Sequence, residues 1–256
     1  MSIHPTAIVH DRTQLGQDIE IGPYSIIGPE VTIGDGVRIA NAVVVQKNTR
    51  IGRGCRIFTG AVLGTEPQDL KYRGEKTWLE IGENTTIREY ATLNLGTAES
   101  GRTVIGRNAL IMTYAHVAHD CVIGDHVILA NAVNIAGHVE VHDHVYVGGV
   151  VPIHQFCKIG RHAMIGGGFR VTQDVCPYMR VAGYPLRVIG VNTIGLERKG
   201  ISPEAIKILR KAYKLLFKSR LNISQAVDKI TSELPISEEV EDILQFIKKS
   251  ERGLIR

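Results

Sequence analysis

The sequence predicts a mainly β protein, a parallel β-helix coiled from six-residue repeats, followed by a smaller α-helical domain. Three observations predict it. From Ile3 to Val171 every sixth residue is aliphatic, save Asp69, Glu75 and Glu99. Two residues before these anchors lies a second column, mostly small or β-branched, that includes Val31, Val37, Val43, Cys55, Ala61, Ala115, Val133 and Cys157. Beyond Gly200 the glycines almost vanish and a helical period takes over. A strand has period two and a helix 3.6, so a strict six requires short strands that turn one corner per repeat. Three repeats close a triangular coil of 18 residues, and equivalent residues of successive coils then stack about 5 Å apart, the spacing of hydrogen-bonded strands.

The repeat domain covers residues 1–190. Glycine follows many anchors (Gly16, Gly22, Gly34, Gly106, Gly124) and is expected to supply the permissive backbone of a tight corner. Two excursions break the phase, at roughly 64–80 and 94–104, and loops leaving a rigid scaffold are common carriers of function. The first contains Leu70, Tyr72 and the only tryptophan, Trp78, which suggests packing against a partner surface. Cys55, Cys121 and Cys157 share the inward column and read as small core residues. Residues 191–256 form the helical domain, with amphipathic stretches at 202–220, 224–234 and 237–251.

Charge is uneven. Residues 192–256 hold 13 Lys and Arg against 9 Asp and Glu, which accounts for the whole net charge of +4. Lys207, Arg210, Lys211, Lys214 and Lys218 recur at helical spacing, either as a solvated face or as a cationic stripe for an acidic partner. The repeat begins at Ile3 and no apolar run approaches the roughly 20 residues of a membrane span. A cytoplasmic location is expected, with no membrane insertion and no nucleic-acid partner.

Histidines point to the chemistry. His119, His138 and His154 lie two, three and one residues after Val117, Ile135 and Ile153, which share one face in successive coils, so they are expected to form a short column with His116 nearby. Surface histidines, a metal site and a general base all remain open. The base reading needs an acceptor that fixes the tautomer, and Asp120 is adjacent to His119. Neighbours on a strand face opposite ways, so that pairing demands a corner or a subunit boundary.

The words QDLKY (68–72), HVAHDC (116–121), AGHV (136–139), IHQFC (153–157) and QDVCPY (173–178), with the terminal RGLIR, resemble the UDP-N-acetylglucosamine O-acyltransferase family, which performs the first step of lipid A biosynthesis. The resemblance implies a homotrimer of left-handed parallel β-helices with active sites between subunits and no cofactor or metal. It implies transfer of an (R)-3-hydroxyacyl chain from acyl carrier protein to the glucosamine 3-hydroxyl of UDP-N-acetylglucosamine. By matching positions, His119 is the general base, Asp120 orients it, and the Gly137 N–H stabilises the oxyanion. Gln68, Asp69, Lys71, His116, His138, His154 and Gln155 match substrate contacts, and Asn192, Arg198 and Lys199 match positions that hold the nucleotide. The cationic stripe gains a partner in the acidic carrier protein. Gly167 and Pro185 match acyl-length rulers, with Phe169 and Arg170 close to the first. Ile194, Lys199 and Asn94-Leu95 depart from the family pattern and leave a 3-amino acceptor open. The rivals are a sister enzyme acting at the 2-amine, a zinc hydratase of the same fold, and a non-catalytic scaffold.

Overall fold

The computed structural model describes all 256 residues. Two-residue strands alternate with two-residue turns and build three parallel faces of a prism. The first face runs from Ser2–Ile3 through eleven strands to Arg187–Val191; the second and third, of eight strands each, begin at Ile8–Val9 and Gln14–Leu15. Pairing is in register with the repeat, so Ile111 faces Leu129 and Val117 faces Ile135. The bonds run between coils, as in His116 N–H to Val133 O at 2.8 Å. The anchor and small-residue columns fill the interior: Ile111, Ala115, Val117, Cys121, Val127 and Leu129 are all fully buried. Cys121 is a core residue too; its thiol is pushed up to about 12 by burial.

The glycines after the anchors have a different reason from the expected one. The left-handed backbone falls two residues later, at Tyr24, Asn108 and His126, each with φ near the left-handed well (58°, 55° and 58°). Glycine is instead required by the close approach of the next coil. A Cβ on Gly22 would lie 2.7 Å from the Ala40 carbonyl carbon, and one on Gly106 would lie 2.5 Å from that of Gly124.

The excursions are narrower than expected, because strands Val62–Thr65, Trp78–Ile81, Thr92–Asn94 and Arg102–Ile105 lengthen to frame them. Asn94 pins their roots together, donating from Nδ2 to Thr65 Oγ1 (2.6 Å) and to the Glu66 carbonyl (3.1 Å). Leu70 is 96% exposed, whereas Trp78 is half-buried under the Arg50 guanidinium, 4.0 Å from the ring centre.

At the far end an antiparallel hairpin, Met179–Ala182 with Arg187–Val191, closes the first face; the repeat did not foretell it. Four helices follow: α1 (Thr193–Arg198), α2 (Pro203–Phe217), α3 (Ile223–Glu233) and α4 (Glu238–Lys248). Helix α2 starts on Ser202, whose hydroxyl accepts from Ala205 N–H, with Pro203 in its first turn. It buries Ile206, Leu209, Ala212 and Leu216, leaving all five residues of the cationic stripe exposed.

Gly106→Ala is expected to cost about 1–3 kcal/mol through the clash with the next coil, whereas Asn108→Gly, at a left-handed position, changes stability by less than about 1 kcal/mol. Thermal or denaturant unfolding of the two variants checks this order; equal effects would contradict it.

Candidate active site

The corner between the second and third faces carries the chemistry. In successive coils, His119, Gly137 and Gln155 occupy one corner position, and Asp120, His138 and Phe156 occupy the next. The stacking is explicit in the backbone: His138 N–H donates to His119 O (3.1 Å) and Phe156 N–H to Gly137 O (3.2 Å). The histidines therefore form a staircase, not the column expected from their spacing. The His119 and His138 rings meet edge to face at 5.0 Å, and His138 stacks on Phe156 at 4.6 Å in the place that a strict column would have given His154.

Asp120 takes a left-handed backbone (φ 59°) at this corner, which lets it turn back to its own neighbour. Its Oδ2 lies 2.7 Å from His119 Nδ1, so the pair forms at a corner within one chain. The carboxylate is fully buried, while His119 keeps 13% of its side chain exposed. Thr97 N–H (2.8 Å) and the Ser100 hydroxyl donate to Asp120 Oδ1, and Thr97 Oγ1 donates to Oδ2 (2.7 Å). Burial alone would push the carboxyl up; the hydrogen bonds from Ser100, His119 and Thr97 outweigh it and hold Asp120 below the usual carboxylate value. With Asp120 ionised, His119 Nδ1 carries the proton and Nε2 is the free nitrogen of the neutral ring.

Gly137 lies against the His119 ring. A Cβ there would stand 2.5 Å from Cε1 and 2.7 Å from Nε2, so only glycine leaves the imidazole in place. The Gly137 N–H makes no hydrogen bond within the chain.

Both excursions close over this corner. Between them and the prism is a cavity of about 670 Å³ whose lining includes Gln68, Asp69, Lys71, His119, His138 and Gln155. The first excursion braces itself, with Asp69 Oδ1 accepting from Lys71 N–H at 2.9 Å. His116 belongs to the adjoining second face, His154 directly follows that face's strand Pro152–Ile153, and neither lines the cavity. The Thr92 hydroxyl lies 2.7 Å from His116 Nδ1, and burial, then nearby His119, pulls His116 below the usual histidine value.

Other expected site residues lie elsewhere on the chain. Asn192, Arg198 and Lys199 flank or belong to α1, beside the corner between the third and first faces, where Asn192 Nδ2 donates to the His162 carbonyl (2.9 Å). Gly167 sits at the remaining corner, and Pro185 follows the fully exposed Tyr184 in the closing hairpin. Ile194 is exposed on α1.

Two features escaped the sequence reading. Thr97 and Ser100 hold Asp120 from the second excursion, and no short motif marks them. His126, His144 and His162 stack at 4.7 Å intervals and end on Tyr178; their spacing of 18 residues was the available signal. Burial, with His144 and Arg161 adding to it, pushes His162 down to about 4, so that this ring is uncharged near neutral pH. Its last member, Tyr178, donates to Asp242 of α4, tying prism to helices.

Metal binding fits this corner poorly. The ligand atoms of His119, Asp120 and His138 lie within 4.8 Å of one another. The four acceptor positions of Asp120 are already used, as is His119 Nδ1. One ligand nitrogen on each of His119 and His138 remains, short of the three protein ligands of a catalytic zinc site.

A hexapeptide prism with a buried Asp–His pair facing a polar cavity defines a hexapeptide-repeat transferase, and residues 102–137 match the bacterial transferase hexapeptide family. Residues 174–255 match the family described as UDP-N-acetylglucosamine O-acyltransferase, domain 2. Relatives named acyl-(acyl-carrier-protein)–UDP-N-acetylglucosamine O-acyltransferase include those of Chlorobaculum tepidum, 63% identical over 96% of this chain and 93% of theirs, and of Thermodesulfovibrio yellowstonii, 47% identical over 99% of each. The solved UDP-N-acetylglucosamine acyltransferase of Bacteroides fragilis superposes with a TM-score of 0.98 at 43% identity, covering 99% of this chain and all of that one. The corresponding Acinetobacter baumannii structure gives 0.97 at 48% identity, covering all of both chains. The chain belongs to the UDP-N-acetylglucosamine O-acyltransferase family, and its fold is the left-handed parallel β-helix with a helical C-terminal region.

Gly137→Ala is expected to displace the His119 ring and reduce turnover by about 100-fold while the protein stays folded. A crystal structure of the variant together with its turnover checks this; an unmoved ring with full activity would refute it.

Proposed function

We propose that this protein transfers an (R)-3-hydroxyacyl chain from acyl carrier protein to the glucosamine 3-hydroxyl of UDP-N-acetylglucosamine, the first step of lipid A biosynthesis, in the cytoplasm. The observation that carries the proposal is the His119–Asp120 pair facing a cavity lined by Gln68, Asp69 and Lys71, in a chain whose relatives are named for this reaction. No helix is long and apolar enough to cross a membrane.

In the proposed mechanism His119 Nε2 removes the proton of the sugar 3-hydroxyl as its oxygen attacks the thioester carbonyl. Asp120 keeps the imidazole in the correct tautomer and stabilises the imidazolium that forms. The tetrahedral oxyanion is met by the unpaired Gly137 N–H. Collapse breaks the carbon–sulfur bond, and the imidazolium returns the proton to the departing thiolate, giving the ester and the free carrier thiol. Lys71, Asp69, Gln68, His138 and Gln155 fix the sugar nucleotide, with His116 and His154 at the margin.

Arg198, Lys199 and Asn192 suit a diphosphate but stand at another corner of the same prism, so they would complete the site from a neighbouring copy. A homotrimer with heterologous contacts provides that arrangement, and the exposed Leu70 of the first excursion fits such an interface. Gly167 and Pro185 would then bound the acyl groove, and the cationic face of α2 would meet the acidic carrier protein.

Incubation with UDP-N-acetylglucosamine, its 3-amino analogue and a series of 3-hydroxyacyl carrier proteins, read by mass spectrometry, tests the reaction. Transfer to the 3-hydroxyl that His119→Ala abolishes is expected; no transfer, or full turnover by the variant, would defeat the proposal. Charge reversal at Lys211 and Lys214 is expected to weaken carrier-protein binding by roughly tenfold or more and leave sugar-nucleotide binding within about twofold. Unchanged carrier affinity in a binding titration would remove the α2 face from the account.

A further inference from the structure

The second excursion has a specific chemical task. An ionised carboxylate offers about four acceptor positions, and at Asp120 one is used by His119 while the other three are taken by Thr97 N–H, Thr97 Oγ1 and the Ser100 hydroxyl. The Asp120 side chain is 0% exposed, so no bulk water shares its charge. Its own N–H is held by Thr103 Oγ1 at 2.9 Å, at the start of the strand where the excursion rejoins the prism.

The loop is braced to present these donors. Gly101 N–H donates to Thr97 O (2.8 Å), and Glu99 N–H to Thr97 Oγ1 (3.2 Å), which aims that hydroxyl proton at the carboxylate. Ser100 Oγ also lies 2.8 Å from the Arg102 carbonyl. One proton cannot serve both acceptors, and the charged carboxylate is the stronger.

We propose that Thr97 and Ser100 are positioning residues for acyl transfer: they orient Asp120 Oδ2 toward His119 Nδ1 and disperse its charge so that the imidazole stays available as a base. The proposal rests on His119 as the general base. An uncompensated buried carboxylate beside an imidazole favours the imidazolium, which has no lone pair to accept the sugar proton. Three donors on the carboxylate reduce that bias while leaving enough negative charge to stabilise the imidazolium in the transition state.

The other groups around His119 are His138 at its edge, His116 on the second face, and Glu99, whose Oε2 lies 3.6 Å from His138 Nε2. Across the cavity stand Asp69, Lys71 and Glu75 of the first excursion. Ser100→Ala leaves all of these groups in place, and Thr97→Val removes in addition the acceptor of the Glu99 N–H, so a pH response shifted in both variants, with the His119 ring signals following it, reports on Asp120.

The test compares Ser100→Ala, Thr97→Val and Thr97→Ser with the wild-type protein and with His119→Ala. The readouts are kcat/KM for acyl transfer from roughly pH 5 to 9 and NMR titration of the labelled His119 ring in the full-length protein. In Ser100→Ala and Thr97→Val the acid limb of the profile should move upward by about half a unit to one unit, the His119 signals following it. Turnover of Thr97→Val at the plateau should fall on the order of tenfold, and Thr97→Ser, which restores the hydroxyl, should stay within about twofold of wild type. An acid limb and ring signals that stay at their wild-type positions in both variants would overturn the proposal, as would a loss of turnover that Thr97→Ser fails to restore. Failure of the underlying reading is distinguishable: turnover would survive His119→Ala while the ring signals of Ser100→Ala still moved.

Discussion

The hydrogen-bonded stacking of one coil on the next is the constraint on which the rest of the structure depends. Where no excursion intervenes each coil donates to the next across 17 residues of sequence, as in Ile128 N–H to Val145 O and Ala130 N–H to Val147 O. That ladder fixes strand spacing at about 5 Å, so every side chain has a predetermined partner above and below. The anchor column is therefore aliphatic, the second inward column is mostly small or β-branched, and glycine stands where the next backbone approaches too closely for a Cβ. The same rule operates at the active corner: Gly137 stands where a side chain would strike the His119 ring, and His138 stands one step over, edge to face with it. A single steric rule serves both the scaffold and the site.

Placing a carboxylate in such a prism is costly, because a buried charge without partners is strongly disfavoured. The second excursion resolves this by interrupting the repeat only long enough to bring Thr97 and Ser100 over Asp120. The first excursion supplies the opposite wall of the cavity and braces its own carboxylates, Asp69 and Glu75, with main-chain N–H groups. The departures from periodicity and the chemistry therefore coincide. The repeat gives rigidity, and its interruptions provide polar groups that cannot be placed on an aliphatic column.

Much of this was legible in the sequence because the repeat is a one-dimensional pattern that maps directly to three dimensions. The anchors, the inward cysteines, the two excursions and the apolar face of α2 all follow from counting. Adjacency plus the rule that strand neighbours diverge left the His119–Asp120 pair to a corner or a subunit boundary, and the structure shows the corner. The staircase of histidines did not, because a displacement of one or two residues around a corner changes which ring stacks on which, and Phe156 took the place assigned to His154. The purpose of the glycines was misread because local conformation and inter-coil clearance call for the same residue. Thr97 and Ser100 were invisible because their role depends on where a loop folds back, which no local period encodes. The closing hairpin and α1 lie where the repeat has ended and no longer informs.

In the proposed function a sugar nucleotide sits between the His119 corner of one prism and the α1 region of another. A crystal structure of the protein with UDP-N-acetylglucosamine bound tests it most directly. The account predicts the sugar 3-hydroxyl about 3 Å from His119 Nε2, with the diphosphate against Arg198 and Lys199 of a neighbouring copy. A nucleotide bound away from the His119 corner, or held entirely by one prism, would contradict it.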